Sequence, residues 1–290
     1  MNKKITILAL LAICTMALAQ PVRSIIGIDR TESANNDFPK NPTAADYIQD
    51  GLVAMWDGIE NVGYGLHEDN PSAWISLVNP VDRFNFPPPA HGSYPRIYAF
   101  SDECLHADSI PLWQASTPAS YSNNIGTLEC AIKFKGFLDS YSPQRVPIVT
   151  AYSVAGQPSI YLNKGTVNGE SRIGLSKSYY GRKSVVDFTL YIGKVTSITV
   201  FAGELQFGPY YDNYVNGTLG TLTEFDSNIP GWNYGYRGKS SLIGNWASGI
   251  DSNGWCVNTD IYCIRLYNRR LTPSEIHYNY LIDKERFNLP

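Results

Sequence analysis

The sequence predicts an all-β protein, an antiparallel β-sandwich of the jelly-roll type with a short C-terminal α-helix. Two observations favour this fold class. The 290 residues include 24 Gly, 18 Pro and 20 Tyr but only 17% charged residues, a composition typical of strands joined by frequent turns. Short apolar runs bounded by Gly, Pro, Asn or Ser also follow one another without an intervening helical period, which is the pattern of a sandwich.

The N-terminal residues have the pattern of a secretory signal peptide. Two lysines precede an apolar run that ends at Ala17-Leu18-Ala19, a small-x-small cleavage pattern. Because this run is too short for a comfortable membrane span, we expect residues 1–19 to be removed and the mature chain to have no integral membrane segment. The protein is then expected to be secreted, either to the periplasm or to the cell surface. Residues 20–46 are predicted to be a polar leader or linker, and residues 47–290 the folded domain.

The predicted strands begin with YIQDGLVAMWDG, where apolar residues occupy both alternating faces, as in a strand buried on both sides. In GTLECAIKFKG the alternation is regular and indicates antiparallel pairing with one buried and one wet face. The predicted buried face carries Leu128, Cys130, Ile132 and Phe134, and the predicted wet face carries Glu129, Ala131, Lys133 and Lys135. Further strands are predicted at VPIVTAYS, PSIYLNK, SRIGLSKSYY, SVVDFTLYI, VTSITVFAG, DNYVNGTLGTLTEF and SSLIGNW.

One turn stands out within DNYVNGTLGTLTEF. Asn216 and Gly217 lie between two β-rich runs and predict a two-residue type I′ hairpin, because both central residues of that turn must accept positive φ. The same residues match an N-glycosylation pattern, Asn-Gly-Thr, but a tight hairpin accounts for them better.

The end of the chain is predicted to form a strand, a turn and a capped helix. Thr272 as N-cap, Pro273 at the first helical position and Glu275 reaching back form a capping box, which predicts a helix from Pro273 to about Lys284. The apolar side chains expected to seat this helix on the sandwich are Ile276, Tyr280 and Leu281.

The basic pair before this helix, Arg269 and Arg270, follows a last strand in which Ile264 and Leu266 alternate with other residues. We interpret the two arginines as turn and anchoring residues rather than as a phosphate or nucleic-acid site. The formal net charge of −3 supports this interpretation, because neutralising nucleic-acid phosphates needs a basic surface.

Four cysteines follow the predicted signal peptide: Cys104, Cys130, Cys256 and Cys263. In an exported protein an even number permits two disulfides in three connectivities, between which the sequence does not choose. Cys256 and Cys263 are the favoured local pair, and buried free thiols are the alternative.

An ordered set of landmarks resembles a known family. GLVAMWDG, LECAIKF, YVNG, LIGNW and IYCIRLYNRRLTPSEIHYNYLIDKERF follow one another as in the laminin-G-like, concanavalin-A-like lectin/glucanase family, in the secreted form common in gut Bacteroidetes. The segment from Ile261 to Ile276 carries the most specific part of the resemblance, which covers about residues 47–287 and implies a jelly roll. The Pro-rich residues 79–124 carry no landmark of the family and are predicted to form long loops and edge strands.

The same superfamily contains retaining glycoside hydrolases, whose Glu-x-Asp-x-x-Glu strand places two carboxylates about 5 Å apart across a sugar. Glu224 and Asp226 in EFDSN lack the second glutamate. Asp57 and Glu60 are three residues apart at the end of a strand and are not expected on one face. No catalytic residue is therefore predicted, and the protein is expected not to be an enzyme.

No cofactor is predicted. The four histidines, His67, His91, His106 and His277, are scattered without metal-ligand spacing, and His277 is expected on the helix surface. The chain has neither a Gly-x-Ser-x-Gly elbow nor a phosphate loop. The candidate for calcium is DSNG, Asp251 to Gly254, although a calcium loop usually has more carboxylates.

Aromatic residues carry the binding hypothesis. In GWNYGYRG, Trp232, Tyr234 and Tyr236 occupy alternate positions, so an extended chain would present three rings on one side. Such rings stack on the apolar faces of sugars, while Asn233 and Arg237 would supply hydrogen bonds. The alternative is that these rings cover the core beneath a long loop.

These observations favour a secreted or cell-surface, non-catalytic binding module whose partner is a glycan or another extracellular molecule such as a protein. The first alternative is a glycoside hydrolase or an accessory protein of a polysaccharide-degrading system. The second is a purely structural or adhesive surface protein, which would have a broad apolar patch instead of a sugar-sized cleft.

Overall fold

The structure is a computed structural model, and it describes residues 38–60, 73–80, 82–85, 97–100, 103–108, 115–116, 125–137, 145–150, 158–176, 184–202, 212–225, 242–243 and 257–290. Asn41–Pro290 forms one compact unit, which includes a 3-10 turn at Ala44–Asp46 ahead of the first strand. Within the described ranges, no helix combines the length and the apolar character that crossing a bilayer requires.

The described strands form two antiparallel sheets, in agreement with the predicted sandwich. The eight-stranded sheet runs in the order β14-β13-β12-β7-β17-β5-β4, and β1 pairs with the second half of β17. Its strands are β1 (Leu52–Asp57), β4 (Ile97–Phe100), β5 (Leu105–Asp108), β7 (Thr127–Phe137), β12 (Val195–Phe201), β13 (Tyr214–Val215), β14 (Thr218–Leu219) and β17 (Val257–Tyr267).

The nine-stranded sheet runs in the order β15-β11-β10-β9-β8-β16-β6-β3-β2. Its strands are β2 (Ala73–Ile75), β3 (Arg83–Asn85), β6 (Ala115–Ser116), β8 (Arg145–Thr150), β9 (Ser159–Val167), β10 (Glu170–Ser176), β11 (Ser184–Asp187), β15 (Leu222–Glu224) and β16 (Leu242–Ile243). Four of the strands, β3 to β6, lie within residues 79–124, and β4 is an edge strand as predicted for that region.

The main core lies between the two sheets. Leu128 and Ile132 of the eight-stranded sheet belong to the same buried cluster as Ile160 and Leu162 of the nine-stranded sheet. Trp56 joins the layers, since its indole Nε1 donates a hydrogen bond of 3.0 Å to the carbonyl oxygen of Trp74 in β2. The buried face predicted for β7 is confirmed, because its four apolar side chains are fully buried in this core.

The prediction of a solvent-exposed outer face for β7 is wrong for the first half of the strand. Glu129 is only 1% exposed and Ala131 is fully buried, because the C-terminal helix α1 (Pro273–Phe287) covers this part of the outer face. Lys133 and Lys135, further along the strand, are partly exposed. The eight-stranded sheet therefore has a covered part and an open part on its outer face.

Helix α1 starts at the predicted capping box. The Thr272 side chain accepts a hydrogen bond from the Glu275 backbone N–H, and the Glu275 carboxylate accepts one from the Thr272 backbone N–H. The helix ends three residues later than predicted, with Asn288 as a left-handed C-cap at φ 52°. Its buried residues are Ile276, Asn279, Ile282, Asp283 and Phe287.

The apolar seat predicted for α1 is therefore only partly right. Ile276 is buried, but Tyr280 and Leu281 are only partly buried, and His277 is exposed as expected. Two polar residues, Asn279 and Asp283, take the buried positions between the apolar ones.

Two further predictions meet different outcomes. The hairpin is confirmed, since Asn216 and Gly217 have φ values of 50° and 69° between β13 and β14. The long strand predicted from SVVDFTLYI is wrong in its second half, where Thr189–Tyr191 forms a 3-10 turn. The strand ends there because the Asp187 carboxylate accepts a hydrogen bond from the Thr189 backbone N–H at 2.9 Å, a local bond that competes with sheet pairing.

The interpretation of Arg269 and Arg270 as anchoring residues is also confirmed. Arg269 donates to both carboxylate oxygens of Glu275, at 2.7 and 3.0 Å, and bonds the backbone oxygen of Asp50. Arg270 pairs with Asp212 and lies over the Phe201 ring at 4.1 Å.

Replacing Glu275 with glutamine is expected to lower the free energy of unfolding by about 1 kcal/mol at neutral pH, because the helix start loses its ion pair and cap charge. The hydrogen bond from Arg269 lowers the pKa of Glu275 well below its usual range, to about 2. A depressed folded-state pKa gives stability that is present above about pH 4.5 and is lost as the pH falls towards 2. Urea unfolding at several pH values checks this, and a loss in E275Q that is the same at pH 3 and pH 7 would contradict it.

Candidate functional site

The described residues hold two polar arrangements on the outer face of the eight-stranded sheet. The first is a buried group beneath α1, which we call the helix–sheet network. It consists of Tyr47, Glu129, Arg265, Asn279 and Asp283. The second is a partly open group beside β5, which we call the Cys104 cluster. It consists of Cys104, His106, Lys135 and Asp260.

Arg265 is the centre of the helix–sheet network. Its guanidinium binds the Asp283 carboxylate through two parallel hydrogen bonds of 2.7 and 2.9 Å, and its Nε donates to Glu129 at 3.0 Å. The guanidinium also lies over the Tyr47 ring, with its carbon 4.0 Å from the ring centroid. The two acidic partners come from α1 and from β7, where Glu129 is the cross-strand neighbour of Arg265. The fork geometry is the strong form of an ion pair.

Hydroxyl and amide groups complete the hydrogen bonding of both carboxylates. Asp283 accepts hydrogen bonds from the hydroxyls of Tyr47 at 2.8 Å and Ser197 at 2.7 Å. Glu129 accepts from the Thr199 hydroxyl at 3.0 Å and from the Asn279 side-chain amide at 2.7 Å. Neither carboxylate is left with an oxygen facing solvent, so the network has the form of a joint between sheet and helix rather than of a reaction site.

The electrostatics of the network follow from its burial. Burial raises the pKa of Glu129 above its ordinary value, and Arg265 only partly offsets this effect. Burial acts in the same direction on Asp283, but there Arg265, Ser197 and Tyr47 outweigh it and hold the pKa below its ordinary value. The same guanidinium therefore faces two carboxyl groups whose pKa values are shifted in opposite directions.

A second ion pair attaches the end of α1 to β1. Arg286 donates to both oxygens of the buried Asp57 carboxylate, at 2.7 and 2.9 Å, and to Glu60 at 3.1 Å. Asp57 is the last residue of β1 and Glu60 lies in the turn after it, and one guanidinium contacts both carboxylates. Because both acids bind Arg286, their arrangement is that of an anchored helix end and not of a catalytic pair.

The Cys104 cluster differs in being open on one side. The His106 Nδ1 lies 2.6 Å from the Asp260 Oδ1, and the Lys135 Nζ lies 2.6 Å from the same oxygen. The Cys104 sulfur lies 3.8 Å from the nearer ring nitrogen of His106. The His106 and Lys135 side chains are 30% and 28% exposed, whereas Asp260 is 6% exposed. A thiol, an imidazole, a carboxylate and an ammonium group therefore meet at the edge of the covered face.

Sequence reasoning missed both arrangements. Glu129 and Arg265 lie 136 residues apart, so only the strand register brings them together. The Cys104 cluster did have a local signal, since Cys104 and His106 are two residues apart, a spacing that places two side chains on one face of a strand. The partner that completes the cluster, Asp260, is the cross-strand neighbour of His106 in β17.

The residues predicted to bind a ligand, Trp232, Asn233, Tyr234, Tyr236 and Arg237, lie outside the described residues. The same holds for Asp226, for the calcium candidate at residues 251–254 and for Cys256. Glu224 is described and is exposed at the end of β15.

Cys263, the other half of the favoured disulfide, has a free and fully buried thiol whose sulfur accepts a hydrogen bond from Arg265 Nη1. Burial raises the pKa of this thiol well above its ordinary value, so it stays protonated. The disulfide between Cys256 and Cys263 stays a prediction, and the free thiol of Cys263 does not support it.

Comparisons with known proteins leave the family open. No protein-family model matches the sequence, and a comparison with curated proteins finds no match. Among solved structures, a Trypanosoma rangeli sialidase in complex with 2,3-difluorosialic acid has a TM-score of 0.49 and 16% identity, over 83% of this chain and 33% of the sialidase. The receptor binding domain of botulinum neurotoxin D has a TM-score of 0.36 and 14% identity, over 80% of this chain and 52% of that domain.

This chain thus spans about a third of the length of the sialidase chains that it matches. Similarity this distant assigns neither a family nor an activity.

Proposed function

We propose that the protein is a secreted or cell-surface binding module of the laminin-G-like jelly-roll type, and that it binds a glycan through Trp232, Tyr234 and Tyr236 without catalysing a reaction. The sequence landmarks support the family, and the two-layer antiparallel sandwich agrees with the fold it implies. The predicted signal peptide supports the location. The groups proposed to contact the glycan are the aromatic rings, with Asn233 as a hydrogen-bond donor and acceptor and Arg237 as a donor.

The observation that carries the proposal is the position of the two strands that flank the aromatic stretch in the sequence. The last described residues before it belong to β15, the edge strand of the nine-stranded sheet, and the next described residues belong to β16 of the same sheet. Four strands separate β15 from β16, which corresponds to about 24 Å at the usual strand spacing. The described residues on either side of the aromatic stretch thus lie at two separated points of one sheet.

The described residue directly before the aromatic stretch is well packed. Phe225, directly after β15, is 1% exposed. Its ring lies against Gly165 of β9 and Gly174 of β10, so closely that a Cβ on either glycine would come within 3 Å of ring atoms. Ile173 and Leu175, on either side of Gly174, point into the core between the sheets. Phe225, the last described residue before the stretch, therefore lies on the outer face of the nine-stranded sheet.

Replacing Trp232 with alanine is expected to abolish glycan binding, because the largest stacking surface is removed. Binding of the mature protein to a glycan array is the measurement, and the melting temperature is expected to stay nearly unchanged. Trp232→Phe keeps an aromatic face and should retain part of the binding. Leu190→Ala serves as a control, since Leu190 is 73% exposed in the turn after β11 and should leave both measurements unaltered.

Each alternative has its own result in these experiments. A large fall in melting temperature for Trp232→Ala would place the ring in the core and overturn the binding role. If the wild-type protein binds no glycan on the array, the proposal of a glycan ligand is wrong and the adhesive alternative is favoured. Release of reducing sugar from a polysaccharide panel that is lost in Glu224→Gln would instead identify a glycoside hydrolase.

A further inference from the structure

The Cys104 cluster brings together three side chains whose chemistry differs from that of the ion pairs elsewhere on the sheet. The sulfur of Cys104, a ring nitrogen of His106 and a carboxylate oxygen of Asp260 all lie within 4.8 Å of one another. Two strands supply them: Cys104 and His106 come from β5 and the residue before it, and Asp260 faces His106 across the strand pair in β17. The cluster therefore rests on paired backbone rather than on a loop.

Thiolate, imidazole and carboxylate are the ligand types that zinc combines in proteins. In a tetrahedral site a sulfur about 2.3 Å and a nitrogen about 2.0 Å from the metal lie about 3.5 Å apart. The Cys104 sulfur and the His106 ring nitrogens are 3.8 and 3.9 Å apart, close to that separation. The His106–Asp260 pair, now a hydrogen bond of 2.6 Å, would have to open by about 0.7 Å to admit the ion.

We propose that Cys104, His106 and Asp260 form a binding site for a divalent transition-metal ion of the zinc class, with a water molecule in the fourth position. Burial fits this use, since Cys104 is 3% exposed while the partly exposed His106 leaves a way in for the ion. Binding releases the thiol proton to solvent, moves the His106 ring proton to the nitrogen that does not bind the metal, and replaces the His106–Asp260 hydrogen bond with two metal bonds. Nothing in this step requires an oxidant or a reductant.

Lys135 holds the place of the cation in the metal-free protein. Its ammonium nitrogen lies 2.6 Å from the Asp260 oxygen that the metal would use. Because the Lys135 side chain is 28% exposed, it can move into solvent or to the second carboxylate oxygen when the ion binds. The ammonium group competes with the metal for Asp260, so its removal should strengthen metal binding.

The site is independent of the proposed glycan site. The Cys104 cluster lies on the eight-stranded sheet, whereas the aromatic stretch is joined to the nine-stranded sheet at both ends. Loss of metal binding would leave the glycan-array result unchanged, and a silent glycan array would leave the metal result unchanged. The two proposals therefore fail separately.

The test is titration of the metal-free mature protein, under reducing conditions, with Co²⁺ as a spectroscopic probe and then with Zn²⁺. One equivalent of Co²⁺ is expected to give a thiolate-to-cobalt charge-transfer band and the visible absorption of a four-coordinate ion. Zn²⁺ should displace the Co²⁺ and raise the melting temperature, because it binds only the folded state.

Variants identify the ligands. Cys104→Ser, His106→Gln and Asp260→Asn should each weaken Zn²⁺ binding at least about tenfold, and Cys104→Ser should remove the charge-transfer band. Lys135→Met should tighten binding roughly fivefold, the upper range for a partly exposed ion pair. Three control variants should bind as the wild type does: His277→Gln on the helix surface, Lys194→Met at an exposed lysine, and Cys130→Ala at a thiol buried in the core.

Three results would overturn the proposal. The first is a wild-type Co²⁺ spectrum without a charge-transfer band, which decides the matter even if the variants fail to fold. The second is an equal loss of binding in the control variants. The third is a mass-spectrometric finding that Cys104 forms a disulfide in the secreted protein.

Discussion

Replacing Arg265 with methionine is expected to lower the free energy of unfolding by about 3–5 kcal/mol, because it leaves buried acidic groups without their cation. Arg265 is fully buried and is the cation bound by both Glu129 and Asp283. Methionine fills much of the same space, so the loss reports on charge rather than on a cavity. Urea unfolding followed by circular dichroism at neutral pH measures it.

Two further variants separate the ion pair from its surroundings. Arg269→Met removes a partly exposed arginine from the same end of the chain and should cost no more than about 1 kcal/mol. Combining Arg265→Met with Glu129→Gln and Asp283→Asn removes all three charges and should recover part of the loss, because no unpaired charge remains buried. If Arg265→Met costs no more than Arg269→Met, the network does not hold the helix to the sheet.

Replacing Phe225 with alanine is expected to lower the free energy of unfolding by about 3–5 kcal/mol, the usual cost of emptying a buried aromatic site. Phe225 is 1% exposed and packs on Gly165 and Gly174. This result would contrast with Trp232→Ala, for which loss of ligand binding without loss of stability is expected. Thermal and urea unfolding of the two variants side by side make the comparison.

A matched control and a double variant sharpen this prediction. Leu222→Ala, in the same strand region but 42% exposed, should change the stability by no more than about 0.5 kcal/mol. Gly165→Ala should cost about 1–3 kcal/mol in the wild type, because its Cβ would lie 2.0 Å from the Phe225 ring. In the Phe225→Ala background the same change should cost much less. Additive losses would show that the ring does not rest on Gly165.

Local patterns in the sequence predicted much of the fold. The capping box at Thr272 and the hairpin at Asn216 and Gly217 depend on a few adjacent residues, so they could be recognised without any tertiary information. The inward face of β7 could be predicted because alternation alone separates its two sides.

The polar contents of the outer face could not be predicted in this way. Alternation assigns Glu129 to solvent, and only the packing of α1 on the sheet shows that it is buried. Asn279 and Asp283 likewise look like solvent-facing helix positions until Glu129 and Arg265 supply their partners. A sequence pattern distinguishes polar from apolar, but it does not distinguish a polar residue in water from one with a buried partner.

The central place of β17 has a consequence for when the protein can fold. This strand follows every other described strand along the chain, yet it pairs with β7 on one side and with β5 and β1 on the other. A nascent polypeptide that has not yet reached Val257 lacks the strand that joins these three, and it also lacks the helix that covers Glu129. Assembly of the eight-stranded sheet must therefore wait until residues 257–287 have been synthesised, and with the proposed signal peptide it would wait until they have been translocated.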